Sequence, residues 1–322
     1  MTDVVIIGGG TAGLSAALVL GRARRNVLVL DAGQPRNAPA AAAHGVFTRE
    51  GTPPMELLRI ARDQLQVYPS IEVREGAVVS VDAGIEDFNV MTSSGERIQA
   101  RKLLLAYGLA DRLPEIAGLD KFWGESVLHC PYCHGWEVRD EPLAYIANGT
   151  VATEFGALLL GWSRDLVLCT NGPAELTAEQ REQLSVNGVA VREQRIISVE
   201  GEGRKVRAIR FEDGSVLLRS ALFVRPDVSP QMDFSVVLGC EHTDAGFIEA
   251  DELGRTSVPG VFAAGDLITP FQQVIRAAAT GATAAAGINH SLAADDFAKV
   301  SREVSGGTRV SPRNRADLSR ES

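Results

Sequence analysis

The chain has 322 residues, of which 45% are hydrophobic and 23% are charged, and its formal net charge is −9 at neutral pH. This length predicts about two domains. So acidic a chain repels phosphate backbones, which argues against nucleic acid as a partner. No apolar run approaches the roughly 20 residues of a membrane-spanning helix, and a strand begins too early to leave room for a signal peptide. We therefore expect a cytoplasmic protein without membrane contact.

The first elements of the chain predict a βαβ unit. An apolar strand over 4–7 leads into a glycine turn over 8–13, and a helix over 14–21 and a second strand over 26–30 follow. Strands that are apolar without alternation are typical of parallel sheets covered on both faces. The order of these elements therefore predicts the start of a dinucleotide-binding fold.

The glycine turn itself predicts a dinucleotide site. It fits G-x-G-x-x-G between a strand and a helix, and the acid Asp31 ends the next strand, a context that makes the motif specific. Gly8 allows the tight turn, Gly10 lets the backbone approach a pyrophosphate, and Gly13 lets the helix and the strand pack closely. The helix N-terminus then faces the phosphates, and Asp31 can accept hydrogen bonds from a ribose.

A second series of elements resembles the first. The predicted helices and strands beyond Asp31 are a helix over 54–68, strands over 73–82, 88–92 and 102–107, a second βαβ unit over 143–147, 152–161 and 165–169, strands over 190–192, 206–211, 220–224 and 261–264, and a helix over 273–289. Segment 246–250 is predicted to return the chain toward the first unit.

This order predicts an α/β fold with two Rossmann-like dinucleotide-binding domains, the second inserted into the first. The outer domain is expected to comprise residues 1–112 and 245–293, and the inserted domain residues 113–244. Residues 294–322 are rich in Ser, Arg, Asp and Glu, so we expect them to form a mobile tail.

A Cys-x-x-Cys pair, Cys130 and Cys133, carries the candidate chemistry. Two cysteines at this spacing can close a small disulfide ring, and a helix N-terminus would hold one of them as thiolate. Half of a zinc site is the alternative. The other two cysteines are isolated, however, and His129 and His134 abut the pair directly, which is a poor spacing for one tetrahedral ion. We therefore expect a redox pair and no metal.

Several further segments resemble FAD-binding motifs. Segment 256–266 resembles the C-terminal FAD signature of flavoenzymes with two dinucleotide domains, and 106–108 resembles their A-T-G turn with Tyr107 in place of Thr. The resemblance implies that Asp266 reaches the ribityl and pyrophosphate part of FAD and that Gln273 and Val274 contact the flavin ring through their backbone. The predicted FAD contacts are Gly8, Gly10, Gly13, Asp31, Ala106, Gly108, Gly265, Asp266, Gln273 and Val274.

Taken in order, the FAD turn, the Cys pair and the Gly-Asp signature resemble the low-molecular-weight thioredoxin reductases over residues 3–290. The resemblance implies a homodimer in which Cys133 lies against flavin C4a and Cys130 exchanges with the substrate. His134 stands where the family has a proton-relaying Asp. The sequence C-P-Y-C-H-G-W-E at 130–137 resembles more closely the thioredoxin-reductase-like branch that includes the flavin-dependent dithiol oxidases acting on gliotoxin and holomycin. We expect His134 and His129 to transfer protons.

The second glycine turn departs from the nucleotide-binding pattern. Ala147 stands at the first glycine, where a methyl group opposes the tight turn, although Gly149 and Ala152 are retained. Thr170 stands at the position equivalent to Asp31, which leaves no acid for a ribose hydroxyl. We therefore expect this domain to be a scaffold that does not use NADPH.

These observations favour a dithiol oxidase in which a substrate dithiol reduces the Cys pair, the pair reduces FAD, and O₂ reoxidises the flavin. The first alternative is a thioredoxin (disulfide) reductase fed by ferredoxin or another donor. The second alternative is a non-catalytic flavin-binding redox sensor. The substrate is expected to be a small molecule, a peptide or a thioredoxin-like protein.

Overall fold

The computed structural model describes residues 2–84 and 87–307, with side chains to Ser301. Its helices are α1 (Thr11–Arg22), α2 (Pro54–Leu65), α3 (Pro131–His134), α4 (Thr150–Leu159), α5 (Ala178–Val186), α6 (Phe234–Val237) and α7 (Val274–Gly307). Within these ranges, no helix is both long enough and apolar enough to cross a bilayer.

The strands fall into two parallel-rich sheets and two smaller ones. They are β1 (Thr2–Ile7), β2 (Val27–Asp31), β3 (Ile71–Glu75), β4 (Val78–Ala83), β5 (Phe88–Thr92), β6 (Arg97–Leu105), β7 (Leu109–Arg112), β8 (Val127–Leu128), β9 (Leu143–Ile146), β10 (Leu166–Cys169), β11 (Ala190–Arg192), β12 (Ile196–Glu202), β13 (Lys205–Phe211), β14 (Val216–Leu218), β15 (Ala221–Val224), β16 (Asp227–Pro230) and β17 (Val261–Ala263).

The first sheet has the order β3-β2-β1-β6-β5-β4, and β17 pairs in parallel with β6. Its central strand β1 is buried over 4–7, which matches the continuous apolar sequence of a strand covered on both faces. On one face α7 packs against α1 so closely that a Cβ atom at Gly281 would overlap the backbone of Ala12. This packing holds the end of the chain against the first glycine turn.

The second sheet is parallel throughout, in the order β11-β10-β9-β15-β8. The antiparallel sheet β12-β13-β14 packs beside it, and β7 pairs with β16 in a separate two-stranded sheet. The predicted α/β architecture with two Rossmann-like parallel sheets is confirmed. The exact domain boundaries, at 112/113 and 244/245, stay a prediction.

One predicted strand was wrong in detail, and two elements were missed. The strand predicted over 73–82 is two strands, β3 and β4, at opposite edges of the first sheet, because the chain turns at Gly76. Helix α5 and strand β12 were not predicted at all. Segment 246–250 returns the chain to the first domain, as predicted, because the backbone N–H of Ile248 bonds to Leu267 and its side chain joins the core of that domain.

The predicted mobile tail is also corrected, because α7 continues past Ala293 to Gly307. Two acids in this extension hold it to the first sheet. Asp296 pairs with Arg25 at 2.8 Å and with Arg101 at 2.5 Å, and Asp295 pairs with Lys102 at 2.7 Å. Residues 308–322, the remainder of the predicted tail, lie outside the described residues.

Candidate active site

The first glycine turn has the geometry that the sequence predicts. Gly8 has φ +109°, and a Cβ atom there would overlap the carbonyl of Ala106. Gly13 packs against the carbonyl of Gly8, so its role is the close approach of α1 to β1. Gly10 precedes α1, and a Cβ atom there would meet no atom within 4 Å. The helix N-terminus therefore opens onto free space.

This space is a cleft that runs from the glycine turn to the Cys pair. Of the predicted site residues, twelve line it: Gly8, Gly10, Asp31, Ala106, Gly108, His129, Cys133, His134, Gly265, Asp266, Gln273 and Val274. Gly13 and Cys130 do not line the cleft. The structure thus brings together residues from both ends of the sequence, as a dinucleotide that reaches the Cys pair requires.

Arg36 lies in the wall of the cleft and was not predicted as a site residue. Its guanidinium bonds to both carboxylate oxygens of Asp111, at 2.5 and 2.9 Å, to Asp266 at 3.1 Å and to Gln272 at 2.5 Å. Burial opposes its charge, but these carboxylates raise the pKa of Arg36. Burial likewise raises the pKa of Asp266, against the attraction of Arg36. The acid predicted to reach the ribityl and pyrophosphate part of FAD is therefore held in place by a buried cation.

Asp31, at the nucleotide end of the cleft, has a partner that the sequence analysis did not identify. The guanidinium of Arg62, in the last turn of α2, pairs with its carboxylate. Only 14% of the Asp31 side chain is exposed. The carboxylate is thus fixed beside the glycine turn, where a Cβ atom at Gly9 would touch it.

At the other end of the cleft, Cys130 and Cys133 form a disulfide with a Cα–Cα distance of 5.2 Å. Cys130 precedes α3, and the backbone N–H groups of Cys133 and His134 both donate to its carbonyl at 3.1 Å. This single helical turn directs Cys133 into the cleft and leaves Cys130 outside it. The two cysteines therefore differ in their contact with the cleft.

The two predicted histidines have different environments. Among the described residues, neither ring nitrogen of His134 has a hydrogen-bond partner, although the backbone of Ala42 lies near enough to favour the protonated ring. Burial, and then the charge of His44, lower the pKa of His134, while Glu137 opposes them. The ring of His134 is thus favoured in its neutral form.

His129 stacks on Trp123, with ring centroids 5.6 Å apart and planes inclined by 30°. Burial and the nearby charge of Arg36 lower the pKa of His129 to about 4, against the attraction of Asp111. A ring that stays neutral over the physiological range and stacks on a tryptophan has the character of a cleft-wall residue. Its predicted part in proton transfer stays a prediction.

The second glycine turn differs from the first because the side chain of Asn148 forms hydrogen bonds across it. The side-chain oxygen of Asn148 accepts hydrogen bonds from the backbone N–H groups of Gly149, at 3.0 Å, and Glu175, at 2.8 Å. Its side-chain nitrogen donates to the carbonyl of Pro173 at 3.0 Å. The Thr170 hydroxyl donates to the carbonyl of Gly172 at 2.6 Å. Groups that would face a nucleotide in a Rossmann fold are thus bonded to one another.

The cleft between the first glycine turn and the Cys pair has the features that FAD binding requires. The glycine turn is open at Gly10, an acid paired with Arg62 lies beside it at Asp31, and the far end carries Cys133 of the disulfide. FAD is the dinucleotide whose reactive ring must reach a dithiol for electrons to pass between them. The residues present therefore fit this cofactor.

Comparison with known proteins gives the same answer. The model of the pyridine nucleotide-disulphide oxidoreductase family matches residues 2–284. The chain is 33% identical to Thioredoxin reductase sirT of Leptosphaeria maculans, over 93% of this chain and 97% of that protein. It is 32% identical to Thioredoxin reductase tcpT of Claviceps purpurea, over 92% and 95%. The crystal structure of HlmI superposes with a TM-score of 0.91 at 39% identity, covering 95% of this chain and 96% of that one.

The chain therefore belongs to the pyridine nucleotide-disulphide oxidoreductase family. It is a thioredoxin reductase-like flavoenzyme that uses FAD and acts on dithiol/disulfide pairs. The family resemblance, the cofactor and the reaction class predicted from the sequence are thus confirmed. The homodimer, the cytoplasmic location and the roles of the individual site residues stay predictions.

Proposed function

We propose that this protein oxidises a dithiol to a disulfide through the Cys130–Cys133 pair, without NADPH and with O₂ as the final electron acceptor. The observation that carries the proposal is the second glycine turn, where Asn148 bonds to Gly149, Pro173 and Glu175. An enzyme of this family that takes no electrons from a nucleotide can receive them from its dithiol substrate instead.

Three features of the second turn support independence from NADPH. Ala147 replaces the glycine that a tight phosphate turn needs. The N–H group of Gly149 at the start of α4, which would face a pyrophosphate, already donates to Asn148. The loop after β10 carries Thr170 where a ribose-binding acid would stand, and its backbone is tied to the turn through Glu175. A nucleotide would have to break these contacts before it could bind.

The different surroundings of the two sulfurs support their assignment. Cys133 lines the cleft, so it is the sulfur that we assign to the flavin side, and Cys130 is the one that exchanges with the substrate. In the exchange the two substrate thiols lose two electrons and two protons, and the Cys130–Cys133 disulfide gains them. FAD, when bound, supplies the two-electron acceptor that restores the disulfide and passes the electrons to O₂.

His134 is the residue that we assign as the general base. It follows Cys133 directly, lines the cleft, and has two ring nitrogens without partners among the described residues. Because burial lowers the pKa of His134, the ring is neutral at physiological pH and can accept a thiol proton. Exposed aromatic side chains at Tyr132 and Trp136 flank the disulfide and offer apolar contact to a substrate.

The relatives' names favour a second candidate, a thioredoxin-disulfide reductase that runs the exchange in the opposite direction. Since the second turn argues against NADPH, such an enzyme would need ferredoxin or another electron donor. The two candidates share the Cys pair and FAD and differ in the source of electrons.

Oxygen consumption tests the proposal. The FAD-loaded protein is mixed with air-saturated buffer and dithiothreitol as the probe dithiol, and oxygen and hydrogen peroxide are followed together. We expect one O₂ consumed and one hydrogen peroxide formed per dithiol oxidised, with no effect of added NADPH. A protein that consumes no oxygen with dithiothreitol or with other small dithiols, yet reduces thioredoxin when reduced ferredoxin is supplied, would establish the second candidate instead.

A further inference from the structure

We propose that Arg204 is a positioning residue that clasps the second domain onto the first and so holds Cys133 within reach of the flavin. Arg204 does not line the cleft itself, so it acts through the orientation of the domain that carries the Cys pair. The inference rests on the proposed function in one respect, because it needs Cys133 on the flavin side of the disulfide.

The covalent connection between the two large sheets leaves their relative orientation open. The chain leaves the first sheet through β7 and returns from the second through β16, and these two strands form a two-stranded sheet of their own. Domains joined by two adjacent crossings move relative to each other unless further contacts hold them. Cys133 lies in the second domain and the first glycine turn in the first, so this orientation sets the distance between the sulfur and the cofactor.

The guanidinium of Arg204 joins the two walls of the cleft. Arg204 lies in the turn between β12 and β13, and its Nη2 atom donates to the carbonyl of Pro39 at 2.9 Å and to that of Trp123 at 2.6 Å. Pro39 belongs to the loop between β2 and α2 of the first domain and Trp123 to the second domain, and both line the cleft. The Nε atom of Arg204 pairs with Glu125 at 3.0 Å. One side chain therefore bonds to backbone on both sides of the domain boundary.

The turn that carries Arg204 is fixed to the segment that leads to the Cys pair. The buried hydroxyl of Ser126 donates to the carbonyl of Arg204 at 2.7 Å. Ser126 directly precedes β8, which ends two residues before Cys130. Trp123, whose carbonyl accepts from the guanidinium, stacks on His129. The clasp is thus connected to the Cys pair through both backbone and side-chain contacts.

The backbone contact beside the guanidinium leaves no room for a side chain. Gly124 has φ +82°, and a Cβ atom there would lie 2.8 Å from the Cβ atom of Pro39. Further along the same loop, Nε2 of His44 lies 3.5 Å from Oε1 of Glu137, and its ring meets that of His134 edge to face with centroids 6.0 Å apart. This loop of the first domain therefore contacts the second domain both at the clasp and beside the Cys pair.

The clasped arrangement serves both cysteines at once. Cys133 lines the cleft, whereas Cys130 lies outside the lining, is partly exposed, and has the exposed side chain of Tyr132 beside it. A dithiol can therefore exchange with Cys130 while Cys133 stays beside the flavin. Both half-reactions proceed in one arrangement of the domains, so a looser clasp slows the enzyme.

The first test measures the proximity of Cys133 to the flavin without turnover. The parent is the FAD-loaded Cys130→Ser protein, whose remaining thiolate gives a charge-transfer band with oxidised FAD. Adding Arg204→Ala should remove most of the band, whereas Arg204→Lys, which keeps a donor and a positive charge, should retain most of it. Arg210→Ala is the matched control. It breaks a similarly exposed ion pair with Glu200 between β12 and β13 and should leave the band unchanged.

The second test measures the rate in the protein with both cysteines. Arg204→Ala should slow anaerobic reduction of the flavin by dithiothreitol by about 10- to 10²-fold, because misplacing the reacting groups by about 1 Å has a cost of this order. Arg204→Lys should recover part of the rate, and Arg210→Ala should equal the wild type. Because the side chain of Arg204 is 46% exposed, Arg204→Ala should keep its FAD and nearly its full stability, which separates positioning from a loss of folding.

The outcomes separate the clasp from the proposed function. An Arg204→Ala variant with the parent's band and an unchanged or faster rate would overturn the clasp, as would losses that Arg210→Ala reproduces. If Arg204→Ala loses its FAD, Arg204→Met, which keeps the aliphatic stem without a donor, is read in its place. A Cys130→Ser parent without the band would overturn the assignment of Cys133, and the clasp with it. A band that responds to Arg204 in a protein whose wild type dithiothreitol fails to reduce would overturn the proposed function alone.

Discussion

The side-chain oxygen of Asn148 accepts a hydrogen bond of 2.8 Å from the backbone N–H of Glu175. This bond joins the turn after β9 to the loop after β10, the two segments between which a Rossmann fold holds its dinucleotide. The same side chain donates to Pro173, so it links the segments twice. The first glycine turn is open at Gly10, whereas the second is bonded through Asn148 to the loop that follows β10.

Removal of this link should destabilise the second domain without creating a nucleotide site. Asn148→Ala leaves the N–H groups of Gly149 and Glu175 without their acceptor, and we expect the free energy of unfolding to fall by about 1–3 kcal/mol. Denaturant titration measures it. Asn187→Ala, which removes one exposed bond at the end of α5, is the control and should have a smaller effect. Unchanged stability in Asn148→Ala would show that the link is not structural.

The two cysteines should differ in their spectroscopic signatures. In Cys130→Ser the remaining Cys133 thiolate faces the cleft, so we expect a long-wavelength charge-transfer absorbance with oxidised FAD. Cys133→Ser should lack this band, because Cys130 lies outside the cleft lining. Absorbance spectra of the two FAD-loaded variants over a pH series provide the measurement. A band in Cys133→Ser alone would exchange the two assignments.

Loss of the His134 ring should slow the thiol–flavin half-reaction. His134→Ala should reduce its rate by about 10²-fold or more, the usual contribution of a general acid or base. In the wild type, burial lowers the pKa of His134 below its ordinary 6.5, so the neutral base persists to lower pH than an exposed histidine. The His134-dependent rate should therefore begin to fall only at a lower pH than it would for an exposed histidine. Stopped-flow rates of the variant that equal those of the wild type would remove His134 from the mechanism.

Sequence periodicity and motif context were sufficient for the first domain, because its signals are local. The apolar run of β1, the glycine turn and Asp31 lie within one βαβ unit. Helix α5 also has a local signal, a capping box between Thr177 and Gln180, which the sequence analysis overlooked. The extension of α7 has no such local signal, because its acids, Asp295 and Asp296, resemble the polar composition of a tail. The ion pairs that hold the extension involve Arg25, Arg101 and Lys102, which are far away in the sequence.

The same distinction applies to the site. Cys130, Cys133 and His134 are adjacent in sequence and were identified there. Arg36 and His44 act on residues far away in the chain, Asp266 and His134, and nothing in their own neighbourhood specifies those contacts. Long-range ion pairs and ring contacts are set by the tertiary fold, so a single sequence does not reveal them.

Arg36 should matter for both stability and cofactor retention. Arg36→Met leaves the buried carboxylates of Asp111 and Asp266 without their cation, which should cost about 3–5 kcal/mol of unfolding free energy. We also expect faster loss of FAD, because Asp266 is no longer oriented. Arg112→Met breaks an ion pair in which both side chains are more than 75% exposed, and it should change stability by no more than about 0.5 kcal/mol. Denaturation and FAD release are measured on both variants. Equal effects would contradict the assigned role of Arg36.

The source of electrons is the most direct test of the central claim. The oxidised FAD-loaded protein is mixed anaerobically with excess NADPH in one experiment and with excess dithiothreitol in another, and the visible flavin absorbance is followed. Because Ala147, Asn148 and Thr170 close the second turn, we predict little or no bleaching by NADPH, fast bleaching by the dithiol, and full recovery of the colour on admission of air. Rapid and complete bleaching by NADPH would contradict the account and place the protein with the NADPH-dependent thioredoxin reductases.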